Sequence, residues 1–540
     1  MATATSKHGV AAAHIGAAVA AFALASLMGV LQALSMADIS YPMRSESLYY
    51  MAVTSHGVLM ALVFTTFFVI GIGYAVARET LGRQIGTRIG WIGFWLAVAG
   101  AAMAAWTILA GQSSVMYTFY PPLQAHPLFY IGATLIVIDS WIWVGIILAS
   151  YRSWRREHPS DPIPGPAHAV IATVILWCLA TTGLALEVVG MLIPWSLGIF
   201  EKIDPMVART YFWWFGHPLV YFWLMPAYTL WYFVLPQIAG GRLFSEKLAR
   251  MVFVLFLLLS TPVGFHHQFT DPGITAGWKL AHTITTYAVL YPSFVTAFTI
   301  IASLELAGRM QGAKGLFDWI GKLPWRDPFF ASIALAIIGF AFGGFGGAIN
   351  AAYAMNALVH NTAFIQGHFH VTLGTTVALT FMGATYWLLP RMIGRELRFP
   401  AVARVQPYLW FFGMTIFSTA YHVAGIRGLP RRVYSASLNG SLGSDWHGLT
   451  VAAALGSIVL LASALSYVFV VTATWMAGRR IDAPAFEFAQ PLRPETAPGV
   501  WDRFGMWTAI AAALVVIAYA YPLYQLISHP RFGSPGFKPF

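Results

Sequence analysis

Thirteen apolar stretches, each long enough to cross a lipid bilayer as a helix, constrain this chain more than any other feature. A bilayer core about 30 Å thick needs roughly 20 apolar residues per helix. We therefore searched for runs of that length bounded by charge, proline or glycine. They predict an all-α polytopic membrane bundle of about 13 transmembrane helices, with residues 1–540 forming a single domain. The predicted spans are 10–35, 50–77, 88–112, 126–151, 167–195, 206–236, 246–269, 276–307, 327–349, 359–389, 404–426, 447–476 and 505–528.

The amino-acid composition also indicates that this chain lies in a lipid bilayer. The 540 residues are 58% hydrophobic and 9% charged, which is too apolar for a soluble domain of this length. The formal charge of +11 lies mostly in short connections between apolar runs. Because no basic stripe stands apart from those connections, we expect no nucleic acid partner.

The distribution of basic residues predicts how the bundle is oriented. The connections after the second, fourth, sixth, eighth, tenth and twelfth spans are basic, and the others mostly are not. Since cytoplasmic loops carry excess Lys and Arg, we predict a cytoplasmic N-terminus and a C-terminus outside. Arg431 and Arg432 break the pattern, because they fall in an outer connection.

Six histidines within apolar spans point to redox metals. A polar residue inside a membrane is costly and usually functional, and the predicted orientation places all six in the outer half. One such histidine alone is more often a packing residue, but six at a common depth are not explained that way. Imidazole is the usual protein ligand of haem iron and copper. The six are His56, His217, His266, His267, His368 and His370.

Spacing divides these histidines into sets. Two residues apart on a helix, His368 and His370 project to nearly opposite sides and could serve two different haems. On the second span, His56 could supply the second axial ligand of one of them. A three-imidazole set suited to copper remains, with Tyr221 one turn after its first member. Packing at a helix interface is the alternative role for Tyr221. The copper set is His217, His266 and His267.

Three motifs resemble those of the haem-copper oxygen reductase superfamily, subunit I, and the resemblance spans nearly the whole chain. They are Trp213–Tyr221, Gly264–Phe269 and Gly367–Thr372. The family also links the first copper histidine covalently to the tyrosine four residues on. The resemblance implies that His217, His266 and His267 bind the copper ion CuB, His368 binds the high-spin haem, His56 with His370 holds the low-spin haem, and His217 is linked to Tyr221.

Departures from the common pattern indicate the branch of the superfamily. Leu219 stands where the mitochondrial-like branch carries a Glu that ends the D proton channel. Hydroxyl groups instead follow the sixth and eighth spans toward the cytoplasm, a layout that resembles the B family with its single K-channel-like path. The alternative is that these groups only satisfy helix carbonyls. The predicted proton path comprises Tyr228, Tyr232, Ser245, Ser293, Thr296 and Thr299.

Four residues near the predicted outer face resemble the family's contacts with haem propionates. Arg431 and Arg432 match an arginine pair that binds these carboxylates, which would explain their positive charge on the outer side. His360 and Asn350 match positions near the propionates of the high-spin haem. Some relatives carry an acid where this chain has Asn356.

The resemblance implies the catalytic subunit of a terminal respiratory oxidase, of the cytochrome c oxidase type. Such an enzyme reduces dioxygen to water with electrons that arrive through the low-spin haem, and it translocates protons. Tyr221 would contribute an electron and a proton to O–O cleavage. The implied cofactors are a b-type low-spin haem, an a-type high-spin haem and CuB.

The remaining partners follow from the same resemblance. This chain has no residue cluster suited to a dinuclear copper site. The first electron acceptor is therefore expected on a subunit II with such a site, which receives electrons from cytochrome c or another donor such as quinol. Small additional subunits are compatible with this organisation. The implied location is the inner membrane of a bacterial or archaeal cell.

Two alternatives remain open at the level of sequence. A nitric oxide reductase-like enzyme shares the six histidines but uses intramembrane glutamates near its metal. Here Glu187 and Glu305 lie away from the metal motifs, and Tyr221 is present. A membrane transporter without redox turnover explains thirteen spans but not the sets of histidines.

Overall fold

Thirteen long apolar helices form the molecule, as a computed structural model shows for residues 7–82, 88–437, 444–529 and 533–538. They confirm the predicted all-α polytopic bundle. In chain order they are α1 Gly9–Met36, α2 Glu46–Leu81, α3 Arg88–Leu109, α4 Pro127–Glu157, α5 Gly165–Ser196, α6 Pro205–Ile238, α7 Glu246–Gln268, α8 Ala276–Met310, α9 Pro328–Ala351, α10 Ala363–Ile393, α11 Pro400–Ile426, α12 Trp446–Ala477 and α13 Phe504–Ser528.

Short polar side chains fix where several helices begin. Ser45 accepts a hydrogen bond from the Leu48 amide before α2, and Asp204 accepts from the amides of Met206 and Val207 before α6. These contacts satisfy amides that have no partner inside the helix. Before α10, Tyr353–Val359 forms a separate short helix, so α10 starts later than the predicted residue 359.

Two helices that carry predicted haem ligands contain wide, π-helical turns. In α2 the π segment is Leu59–Phe64, three residues beyond His56. In α10 it is His370–Ala378, which begins at a predicted ligand. Such segments are rare and occur often at functional sites. The regular periodicity used to predict the spans did not indicate them.

Helix α6 lies at the centre of the bundle. In it, 89% of an 18-residue apolar stretch is buried, compared with 33% in α1. Consecutive helices pack as neighbours, notably α3 with α4, α5 with α6, and α11 with α12. The central position of α6 brings its predicted site residues within reach of α7, α8 and α10.

The connections between helices lie alternately on two opposite faces of the bundle, as consecutive membrane spans require. On one face the segment after α13 bonds with the connections before α4 and before α6: Phe537 pairs with Leu123, and Ser534 pairs with Ile203. The other face bears His8, which contacts Phe486. The structure thus places the start of α1 and the segment after α13 on opposite faces, whereas which face is cytoplasmic stays a prediction.

A buried arginine ties together several connections on the His8 face. The guanidinium of Arg250 donates to Asp502 and Glu246, with N–O distances of 2.6 Å in both cases, and to the Ile163 carbonyl. Burial raises the pKa of Asp502, although the nearby Arg250 opposes that rise. This network joins the entrances of α5, α7 and α13.

Candidate redox metal centres

Two histidines from different helices face each other across a cavity. The rings of His56 on α2 and His370 on α10 are nearly parallel, with an interplanar angle of 7° and centroids 6.0 Å apart. Nδ1 of His56 lies 2.8 Å from the Ala25 carbonyl, and Nδ1 of His370 lies 2.7 Å from the Gln366 carbonyl. A carbonyl can only accept, so each Nδ1 is the donor and each Nε2 keeps its lone pair for a metal.

The cavity beside these rings has the character of a site for a large flat apolar cofactor. Its volume is about 260 Å³ and its lining is mostly apolar. A Cβ atom on Gly29 would lie 3.0 Å from the His56 ring, so a side chain at this position would push the ring from its present place. The lining includes His370 and Phe369 but not His368, so the two histidines of α10 face different sites.

Two arginines lie at one end of the cavity without a carboxylate partner among the described residues. Arg431 donates to the Tyr117 hydroxyl at 3.3 Å, and the Arg432 guanidinium lies 5.1 Å from the centroid of that ring. Burial and the neighbouring Arg431 lower the pKa of Arg432 to about 10. Burial alone would raise the pKa of Tyr117, but the two arginines outweigh it and lower that pKa. Anionic groups such as haem propionates fit this excess of buried positive charge.

The three predicted copper histidines come together at the junction of α6 and α7. Candidate ligand atoms of His217, His266 and His267 all lie within 4.8 Å of one another. Helix α7 is α-helical only as far as Ser260, and both of its histidines lie in a 3₁₀ turn, Phe265–Gln268. This turn, rather than the continuous helix expected from the apolar run, allows two consecutive imidazoles to face the same point.

Neighbouring side chains orient the three imidazoles. Thr286 on α8 donates its hydroxyl hydrogen to the His282 carbonyl, so it accepts from Nδ1 of His266 at 3.0 Å. Nε2 of His266 is then free to bind a metal. Trp213 stacks on His267 with centroids 3.7 Å apart and an angle of 6°. Partners of this kind orient metal ligands. Trp213 begins the first sequence motif, whereas Thr286 lies outside all three motifs.

Tyr221 lies directly beside this cluster. The centroids of the Tyr221 and His217 rings are 5.1 Å apart on the same face of α6. Nδ1 of His217 lies 3.4 Å from Nε2 of His267, and Nε2 of His217 is buried without a hydrogen-bond partner. One nitrogen of His217 therefore faces the other imidazoles, and the second remains available for another bond.

His368 occupies the side of α10 that faces α9. Its Nδ1 lies 3.2 Å from the Thr372 hydroxyl, and α9 passes close to the ring at Gly346. A short polar chain continues from there: Asn356 donates to the Asn350 carbonyl at 2.8 Å, and its side-chain oxygen lies 3.1 Å from Nδ1 of His360. Burial, then Arg431 and Arg209, lower the pKa of His360 to about 4, so it is neutral at pH 7.

Most of the predicted proton path lies between α6 and α8. Tyr232 donates to the Thr296 hydroxyl at 2.9 Å, and Thr299 lies beside the same phenol. Tyr228 lies next to Ser293, but its hydroxyl makes no hydrogen bond of standard geometry. Bridging waters can complete such a chain.

The far end of this series differs from the expectation. Ser245 caps α7 by accepting from the Leu248 amide at 3.2 Å, and none of its described contacts reaches Tyr232 or Thr299. Ser303 instead continues the series, since it donates to the Thr299 carbonyl at 2.7 Å and accepts from the Phe244 amide at 3.0 Å. The sequence could have indicated Ser303, because it follows Thr299 by one turn.

Among the described residues, Glu187 and Glu305 do not join the three-histidine cluster. Glu305 is exposed and pairs with Arg309 one turn later at 2.8 Å. Glu187 is buried without a hydrogen-bond partner, and its electrostatic neighbour is Tyr130. This arrangement does not provide the acid near the metal that the nitric oxide reductase alternative requires.

Comparison with known proteins places these features in a family. Residues 9–459 match the family model described as cytochrome c and quinol oxidase polypeptide I. The chain is 42% identical over 526 residues to cytochrome c oxidase subunit 1 of Thermus thermophilus, covering 94% of this chain and 93% of that protein. It is 25% identical over 442 residues to the Synechocystis protein of that name, covering 78% and 75% of the two chains.

A solved structure agrees over almost the entire chain. It was determined by cryo-electron microscopy and is described as a haem-copper terminal oxidase dimer. The TM-score is 0.94 at 34% identity, and the match covers 99% of this chain and 95% of the other.

Proposed function

This chain belongs to the cytochrome c and quinol oxidase polypeptide I family and is the catalytic subunit of a terminal respiratory oxidase, and we propose that Tyr221 and the three-histidine cluster form its oxygen-reducing site. The observation that carries the assignment is the convergence of three imidazoles within 4.8 Å, with the Tyr221 ring beside them. The family implies two haems and one copper ion, which supply electron transfer and the position where dioxygen binds.

We assign the other histidines to the two haems. His56 and His370 would hold the low-spin haem, b-type in our proposal, since each presents a free Nε2 beside the apolar cavity. His368, on the other side of α10, would bind an a-type high-spin haem. Arg431 and Arg432 would bind propionates, because they are half-buried cations beside the cavity without a described carboxylate partner. We also assign His360 and Asn350 to propionates of the second haem, since Asn356 joins both of them in a polar chain near His368.

Tyr221 is the proposed proton and electron donor of the site. Its hydroxyl lies one helical turn from His217, so a proton leaving the phenol would be released beside the three imidazoles. The unpartnered Nε2 of His217 supports the covalent link to Tyr221 that the resemblance implies. A linked phenol is held in place, which favours transfer at a fixed distance.

Protons would reach Tyr221 along α6 and α8. The direct hydrogen bond from Tyr232 to Thr296 supports this route, and Ser303 extends it toward the face that bears His8. We propose a single K-channel-like path of the B-family type, because Leu219 replaces the acid that would end a second channel. Its members are Ser245, Ser303, Thr299, Thr296, Tyr232, Ser293 and Tyr228.

The chain is a multi-pass protein of a bacterial or archaeal membrane and acts with dioxygen and other oxidase subunits. We propose a cytoplasmic N-terminus and an outer C-terminus, because the basic connections lie on the face that bears His8. A subunit II with a dinuclear copper site would deliver the electrons. Cytochrome c is the proposed donor because the Thermus and Synechocystis relatives carry that name. We also propose that residues 1–540 constitute one domain.

The test combines spectroscopy, metal analysis and oxygen consumption by the purified enzyme. We expect two haems, of which one binds carbon monoxide, and one copper ion in this chain. Tyr221→Phe should lower oxygen consumption by at least about 100-fold while both haem spectra persist. Tyr467→Phe is the matched control, since that buried phenol bonds only Thr385 between α10 and α12. Two haems with non-haem iron in place of copper would instead identify a nitric oxide reductase.

A further inference from the structure

A buried histidine–aspartate pair lies between α1 and α4, away from the metal centres. Both His14 and Asp139 are 0% exposed, and Nε2 of the histidine lies 3.1 Å from Oδ2 of the aspartate. The His14 ring is otherwise surrounded by aromatic rings, with Phe67, Tyr74 and Phe94 at centroid distances between 5.0 and 5.9 Å. Ionisable residues in a membrane interior are costly and commonly mark proton or ion sites.

The hydrogen bonds of His14 fix how many protons this pair holds. Nδ1 lies 2.8 Å from the Val10 carbonyl, which can only accept, so Nδ1 carries a hydrogen. If the imidazole is neutral, Nε2 has no hydrogen and the contact with Oδ2 requires a protonated carboxyl group. If the imidazole is charged, Nε2 donates to an ionised carboxylate. One proton is therefore shared in either state, and it can move between Oδ2 and Nε2 without changing the net charge.

Three polar atoms around the pair are buried without a hydrogen-bond partner: Oδ1 of Asp139, the Tyr74 hydroxyl and Nε1 of Trp143. Their side chains are between 0 and 2% exposed. Two of these atoms lie against α3. A Cβ atom added to Gly93 would lie 2.3 Å from Oδ1 of Asp139, and a Cβ atom added to Gly90 would lie 3.4 Å from the Tyr74 hydroxyl. Positions three residues apart on a helix are neighbours, so a bridging water can join these two atoms.

A second polar pair lies between this region and the surface. Nε2 of His8, at the start of α1, lies 3.1 Å from Oε1 of Glu79 near the end of α2. The Glu79 side chain is 22% exposed, and Nδ1 of His8 is buried without a partner. Tyr74 lies on α2 between Glu79 and the His14–Asp139 pair. Ordered from the helix ends inward, these polar residues are Glu79, His8, Tyr74 and Asp139.

The groups that face His14 are few and define its electrostatic surroundings. Tyr74 faces it from α2 and Asp139 from α4, while α3 presents Phe94 and Gly93. Helix α12 presents Trp475 near Gly16, two residues closer to the middle of α1. The charged groups toward the surface are Lys7, His8, Arg78 and Glu79.

We propose that His14 and Asp139 form a proton-binding site, separate from the metal centres, which exchanges protons with water at the His8–Glu79 end through the Tyr74 hydroxyl. Oδ1 of Asp139 would accept the incoming proton while the proton on Oδ2 passes to Nε2 of His14. The loaded pair then carries one positive charge, and release through Tyr74 returns it to neutrality. The proposal does not depend on the oxygen-reducing site.

The test follows the ring nitrogens of His14 by solid-state NMR in the complete enzyme, with ¹⁵N-labelled histidine. Signals of the pair are those that shift in Asp139→Asn, and His14→Gln provides a second assignment. Haem content reports that each variant has folded. We expect the His14 Nε2 hydrogen to exchange within minutes of transfer to D₂O.

Tyr74→Phe is expected to slow this exchange about tenfold, because one member of the relay is removed. Tyr49→Phe is the matched control, since Tyr49 is also on α2 and has a buried hydroxyl without a partner. Exchange unchanged by Tyr74→Phe would overturn the route. A His14 Nε2 hydrogen that does not exchange over hours, in enzyme with full haem content, would overturn the site and leave a static bond between helices.

Discussion

At the scale of single residues, a hydrogen bond to one ring nitrogen of an imidazole determines whether the other nitrogen can bind a metal. Carbonyls of Ala25 and Gln366 hold Nδ1 of His56 and His370, and the Thr286 hydroxyl holds Nδ1 of His266. In each case Nε2 is the nitrogen that remains free. The protein thus selects the tautomer before any metal binds.

Removing the Thr286 hydroxyl should weaken copper binding. In Thr286→Val the side chain keeps its shape, but Nδ1 of His266 loses its acceptor. We expect copper affinity to fall about 10- to 100-fold, the usual effect of losing a partner of a metal ligand. Copper content after dialysis measures this. Thr283→Val is the control, because that hydroxyl bonds only the Lys279 carbonyl. Equal copper retention in both variants would contradict the role of Thr286.

Gly29→Ala should disturb the low-spin haem and little else. Its Cβ would lie 3.0 Å from the His56 ring, which must move away from its position opposite His370. We expect an altered low-spin haem spectrum, with carbon monoxide binding at the other haem retained. Gly145→Ala provides the comparison, since nothing lies within 4 Å of its added Cβ. An unchanged spectrum would mean that the His56 ring is not held at this position.

The sequence motifs identified the six histidines and Tyr221 because these residues lie in short local patterns. The partners Thr286 and Gly29 could not be predicted in the same way. Each approaches its histidine from another helix, and neither a threonine nor a glycine in an apolar run signals that contact. Their functional assignment therefore depends on the three-dimensional arrangement.

At the scale of helices, departures from regular α-helix position the candidate ligands. The π segment of α10 begins at His370, and the 3₁₀ turn at the end of α7 contains His266 and His267. Apolar periodicity predicts where a span lies but assumes 3.6 residues per turn. It could therefore not predict these local changes of pitch, although it located the spans themselves to within several residues.

Breaking the contact between α6 and α8 should slow proton delivery. Thr296→Val removes the acceptor of the Tyr232 hydroxyl while leaving the fold of α8 intact. We expect oxygen consumption to fall about tenfold, with haem and copper content unchanged. Thr285→Val, on the same helix, is the control, since its hydroxyl bonds carbonyls of α8 alone. Equal rates in the two variants would exclude Thr296 from the path.

At the scale of the whole molecule, contacts between distant segments complete the bundle. The number of spans was predictable because each apolar run meets the length criterion by itself. Pairings such as His14 with Asp139, 125 residues apart, were not predictable, since the local sequence around one residue carries no information about the other. The Arg250 network likewise joins residues separated by up to 252 positions.

Arg250→Ala should destabilise the molecule by about 3–5 kcal/mol, since it leaves buried carboxylates unpaired. Burial already raises the folded-state pKa of Asp502, and Arg250 limits that rise. Without Arg250 the ionised carboxylate is disfavoured further, so the added cost appears above the unfolded pKa and shrinks as pH falls. Thermal loss of haem absorbance, at about pH 8 and about pH 5, measures the difference.

A second variant separates charge from packing in this network. Replacing Arg250 together with Asp502, as Arg250→Met with Asp502→Asn, removes both members of one ion pair. It should be less destabilising than Arg250→Ala and less dependent on pH, because fewer buried charges remain unpaired. A double variant as unstable as Arg250→Ala at both pH values would assign the effect to lost packing alone.

The bonds of the segment 533–538 also imply an order of biogenesis. This segment is translated after all thirteen spans, yet Phe537 bonds with Pro122 and Gln124, and Ser534 bonds with Ile203. The connections that precede α4 and α6 thus lack these contacts until the ribosome has synthesised α13 and the residues that follow it. The helices bearing the six candidate ligands are inserted before that moment. Cofactors that bind during synthesis would therefore bind a bundle in which these contacts of residues 533–538 have not yet formed.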